Sequence, residues 1–92
     1  MNVYAVTDKG EVDVRSFAPL VGVYEDPVCG SGNAAVGANI RASGLQQNTG
    51  STYTARQGAA LGRDGYVRVR IDDDGILVGG RAVTAIDGEI RL

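Results

Sequence analysis

The sequence predicts an α+β fold, mostly β, in which an antiparallel or mixed curved sheet wraps around one buried central helix. Three observations carry this. Fourteen glycines cut the 92 residues into short pieces. Most of those pieces alternate apolar and polar residues, as half-buried strands do. The one convincing helical segment is built largely of small apolar side chains, which lets a sheet approach it closely.

Asn2 to Thr7 reads as a strand, Asp8-Lys9-Gly10-Glu11 as a turn, and Val12 to Phe17 as the returning strand of a hairpin. A helix is predicted from about Asn33 to Ser43, capped by Ser31 or Asn33 and closed by Gly44. Its apolar residues Ala34, Ala35, Val36, Ala38, Ile40 and Ala42 point in nearly every direction, which predicts burial on all sides. Gly37 lies mid-helix at a cost of about 1 kcal/mol relative to alanine, so neighbouring backbone is expected to pack very close there. Thr52 to Gln57 is a strand ended by Gly58. From Tyr66 to Ile71 the alternation is clean, with Val67, Val69 and Ile71 on one face. Asp72-Asp73-Asp74-Gly75 turns the chain, Ile76 to Val78 resumes a strand, and Arg81 to Ile86 completes a predicted antiparallel meander.

Composition narrows the function classes. An apolar fraction of 43% and a charged fraction of 22% are those of a globular protein. A formal net charge of −2 with scattered basic residues leaves no footprint for nucleic acid. No apolar run is long enough for a membrane span and the N-terminus lacks signal-peptide order, so the expected compartment is cytoplasmic. One cysteine and no histidine provide neither an internal disulfide nor the usual zinc ligands. The aspartates at 72 to 74 lack the glutamate that ends a calcium loop. Neither metal nor cofactor is expected. A chain this short buries only about two-thirds of its unfolded surface, which favours stabilisation by a partner.

The segment Glu25-Asp26-Pro27-Val28-Cys29-Gly30-Ser31-Gly32-Asn33-Ala34 leads straight into the helix. The first amides of a helix have no intrahelical acceptor, and the positive end of its dipole favours a carboxylate or phosphate. The amides from Gly30 to Asn33 are therefore expected to line a small-anion pocket. Cys29 is the candidate reactive group. The plainer reading is that Gly-Ser-Gly-Asn is helix-capping chemistry, Asp-Pro a turn, and a lone cysteine a small core residue.

The same segment closely resembles the Glu-Asp-Pro-Val-Thr/Cys-Gly-Ser signature of PhzF-like phenazine-biosynthesis proteins. Val14-Arg15-Ser16-Phe17-Ala18-Pro19, Tyr53-Thr54-Ala55-Arg56-Gln57-Gly58 and Val78-Gly79-Gly80-Arg81-Ala82-Val83 are similar to flanking segments of that family, in the same order. The resemblance implies a diaminopimelate-epimerase-like fold, of which residues 1–92 form one partial domain, the closing part of the second. It implies cofactor-independent isomerase chemistry in which a first-domain glutamate shuttles the proton. It also implies that Asp26, Gly30 and Ser31 hold the substrate, a small carboxylate-bearing molecule.

That glutamate has no counterpart here, so two functions compete. One is an isomerase or epimerase completed by a second chain; the other is a noncatalytic anion-binding or remnant domain. Related racemases place a thiol in a similar segment of each domain, which makes two facing Cys29 residues of a homodimer a further route to catalysis. An incomplete sheet and an exposed helix flank predict such a dimer, or pairing with a homologous domain, by a twofold or by strand exchange. Met1 and the strand that follows it at once favour a short natural chain over a piece cut from a longer one.

Overall fold

The computed structural model describes residues 1–92. Strands β1 (Asn2–Val6) and β2 (Val12–Ala18) form the expected hairpin, in register from Asn2 opposite Ser16 to Val6 opposite Val12. β3 (Val23–Asp26) follows, then helices α1 (Gly30–Ser43) and α2 (Gln46–Thr49), then β4 (Thr52–Gln57), β5 (Gly65–Asp72) and β6 (Gly75–Gly79). All strands share one mixed sheet of order β1-β2-β4-β5-β6, with β3 alongside β2. Only β2 and β4 run parallel, and α1 lies in the crossover between them, since a parallel pair cannot be joined by a tight turn.

The predicted alternation fixes which side of the sheet is covered. Val12 and Val14 of β2, Tyr53 and Ala55 of β4, and Val67, Val69 and Ile71 of β5 are buried with Val36 and Ile40 of α1. Gly37 sits where the helix approaches most closely: an added Cβ would lie 2.9 Å from Ile76 Cγ2 and 3.3 Å from Val69 Cγ1. Burial of α1 on all sides is corrected, because the sheet is open and covers one face only. Asn33, Val36, Gly37 and Ile40 are buried, whereas Ala35, Ala38 and Ala42 are exposed. The helix touches β1 at one edge of the sheet and β5 and β6 at the other.

Two further expectations change. Arg81–Ile86 forms no strand; residues 80–92 carry no regular structure, and Val83 and Ile86 are more than nine-tenths exposed. The alternation there is that of a strand, but every residue from 80 to 92 is exposed, so none of its apolar side chains is buried against the sheet. Conversely, β3 was not predicted. It is four residues long and pairs with β2 through a shifted register between Ser16 and Ala18. No helix is long and apolar enough to cross a membrane.

Tyr53 carries a pH dependence. Its hydroxyl is buried without a hydrogen-bond partner. Burial, and secondarily the nearby Tyr4, pushes it from its ordinary value of 10.0 up to about 12. Between those values the unfolded chain ionises this phenol while the folded chain does not, so stability is intact below pH 10 and falls as pH rises toward 12, by at most roughly 2–3 kcal/mol. Tyr53→Phe should flatten this loss in urea titrations repeated across that range. At neutral pH it should be neutral or mildly stabilising, because it removes an unpaired buried hydroxyl.

Candidate functional site

Asp26 ends β3, and its Oδ1 accepts a hydrogen bond from the Val28 amide at 3.0 Å, an Asx turn that swings the chain away from the sheet. Four residues later α1 begins, and it begins at Gly30 rather than at Asn33. The capping residue is Cys29, not Ser31 or Asn33. Its backbone is extended, and its Sγ accepts from the Gly32 amide at 3.3 Å, where an N-cap usually offers an oxygen. The Cys29 carbonyl accepts from both the Asn33 amide, at 3.1 Å, and the Asn33 side-chain Nδ2, at 2.8 Å.

This turn is tied to β4 through one side chain. Gln57 is buried, and its Oε1 accepts from the Cys29 amide at 3.2 Å and from Asn33 Nδ2 at 2.9 Å. Its Nε2 donates to the Asp26 carbonyl at 2.8 Å. One carboxamide thus fixes both ends of the turn and the first turn of α1. Upstream, Glu25 is nearly buried and pairs with Arg15 of β2, which anchors β3 on its neighbour.

The result is a pocket of about 230 Å³ at the start of α1, lined by Asp26, Cys29, Ser31 and Gly32 from the turn and by Asn2 and Ser16 from β1 and β2. Gly32 has no Cβ because none would fit: an added one would lie 2.5 Å from Asn2 Oδ1, 2.9 Å from Ser16 Oγ and 3.1 Å from Cys29 Sγ. Ser31 Oγ lies 3.6 Å from Cys29 Sγ.

The expectation of four free amides is reduced to two. Those of Gly32 and Asn33 are used within the turn, and those of Gly30 and Ser31 meet no protein acceptor. Of the expected site residues, Asp26, Cys29, Ser31 and Gly32 converge on the pocket. Gly30 instead borders a broad neighbouring groove with Val28, Tyr66 and Arg68. Asn33 is fully buried beneath the turn, where it holds the backbone rather than facing the pocket.

Sequence reasoning missed Ser16, Asn2 and Gln57. Ser16 follows Val12 and Val14 on the covered face of β2, and Gln57 follows Tyr53 and Ala55 on that of β4. A polar side chain that ends an apolar row on the inner face was the available signal.

The model of the family described as "Phenazine biosynthesis-like protein" matches residues 1–88. Among curated proteins the chain is 38% identical to antisense-enhancing sequence 1 of Schizosaccharomyces pombe, over 97% of this chain and 31% of that protein. It is 35% identical to the uncharacterized isomerase YddE of Salmonella typhimurium, over 88% of this chain and 30% of that protein. It is also 35% identical to an uncharacterized isomerase of Clostridium acetobutylicum, over 98% of this chain and 33% of that protein. The chain spans about a third of the length of these relatives. With the signature turn, the helix behind it and the match over residues 1–88 in agreement, the chain belongs to the phenazine biosynthesis-like (PhzC-PhzF) family.

Proposed function

We propose that this chain is the ligand-holding portion of a PhzF-like isomerase. It binds a small carboxylic acid at the start of α1 and takes part in cofactor-independent proton transfer when a second chain completes the site. The observation that carries the reading is the pocket that gathers Asp26, Cys29, Ser31 and Gly32, in a chain whose relatives include proteins named isomerases. The ligand carboxylate meets the Ser31 amide and hydroxyl at the positive end of the helix dipole, with the Gly30 amide beside them. Asp26 uses one oxygen on Val28, and its other oxygen takes a ligand amine or hydroxyl.

These contacts position a substrate; they do not move its proton. The partner that completes the site is a second copy or a homologous domain, seated on the exposed Ala35, Ala38 and Ala42 flank of α1. A noncatalytic binding domain is the second reading. It is favoured by the engagement of Cys29 Sγ as the helix cap, a structural task that needs no reactivity.

Incubation with small carboxylic acids in deuterated water distinguishes the two, because a proton shuttle must place deuterium on carbon. Exchange by the dimer, lost in Ser31→Val, is the expected result. Ligand-induced shifts of the Gly30 and Ser31 amides without exchange would establish the noncatalytic reading. Sedimentation of a folded monomer at micromolar concentration would remove the paired site.

A further inference from the structure

The geometry points to Ser16, held by Asn2, as the residue that sets ligand specificity on the pocket floor. This rests on the acid-binding reading above but concerns a side chain outside the signature turn. Ser16 is 4% exposed, yet its hydroxyl borders the cavity opposite Cys29 and Gly32. Its proton is committed, because Ser16 Oγ donates to Asn2 Oδ1 at 2.6 Å. What Oγ offers the cavity is therefore lone-pair density alone. The bare Cα of Gly32 leaves that oxygen uncovered, since the space a Cβ would fill there lies 2.9 Å from Ser16 Oγ.

A hydroxyl or amine on the ligand can donate to Ser16 there, whereas an aliphatic group leaves a buried oxygen without its second partner, and the site selects against the second case. The carboxylate is held by the helix end, and the donor is shared between Asp26 and Ser16 of β2. The helix end and the strands thus recognise two different groups on one small molecule.

The probes are lactate and propionate, which differ by one hydroxyl, titrated into the full chain while the Ser31 and Gly32 amide resonances are followed. Lactate should bind about fivefold more tightly, the worth of one hydrogen bond. In Ser16→Ala that preference should fall by about twofold or more while propionate affinity is kept, the remainder being the contact to Asp26. Asn2→Ala, at the exposed rim, should also reduce the preference, because it frees the Ser16 proton. It carries the test if Ser16→Ala does not fold. Equal affinities in the unmodified chain, or a preference undiminished by both substitutions, would overturn the assignment. If neither acid shifts the resonances, the acid-binding reading fails and this assignment falls with it.

Discussion

Gln57→Leu should lower stability by about 3–5 kcal/mol, measured as a fall in urea midpoint with little change of slope. The substitution keeps the volume but removes three hydrogen bonds, to the Asp26 carbonyl, the Cys29 amide and Asn33 Nδ2. All three partners lie beneath or beside the signature turn, and leaving buried groups unpaired costs about 1–3 kcal/mol each. Because the bonds share one carboxamide, their losses do not simply add, which sets the upper bound. Gln57→Glu is the informative control. Its carboxylate can accept from Cys29 and Asn33 but cannot donate to Asp26, so the loss should be intermediate at acid pH and larger at neutral pH, where two carboxylate-bearing residues face a shared turn. A Leu variant with unchanged stability would mean that the turn is held from elsewhere.

Gly58→Ala should cost about 3 kcal/mol for a different reason. Gly58 has φ of +88°, a conformation that costs an L-residue about 1–2 kcal/mol. In addition, an alanine Cβ there would lie 2.7 Å from the Pro27 carbonyl oxygen, a backbone atom with little room to retreat. The strain falls on the same turn that Gln57 holds. Ligand-dependent shifts at Ser31 should therefore weaken in Gly58→Ala even under conditions where the chain remains folded. Thermal unfolding gives the first effect, and titration of the folded variant gives the second.

Much of the fold was legible because strand alternation is a local property. Val67, Val69 and Ile71 faced the core as their spacing required, and the cost of Gly37 in a helix implied a close approach, which is made by the side chains of Ile76 and Val69 and not by the expected backbone. The parts that were not legible depend on partners. Arg81–Ile86 has a strand's pattern but nothing beside it, and β3 has a partner but too few residues to form a pattern. At the site, oxygen-bearing side chains dominate the usual N-caps, so Ser31 and Asn33 stood out and the thiol of Cys29 did not. Asp26, Ser31 and Gly32, which line one pocket, stood out through the turn's glycines and its resemblance to the family signature. Their supports, Gln57 and Ser16, come from strands distant in sequence and become neighbours only through the topology.

The parallel pairing of β2 with β4 has a kinetic consequence. The β1–β2 and β5–β6 hairpins and the β4–β5 pair join segments close in sequence, whereas Val12 meets Ala55 only after the turn, α1 and α2 have all been laid down between them. Closing that long loop costs more chain entropy than closing the hairpins, so it is expected to come after them. Gln57 reaches Asp26 and Cys29 only in that final docking. Binding competence should therefore arrive last in refolding, in step with the slowest phase, with no partly folded species able to retain a ligand.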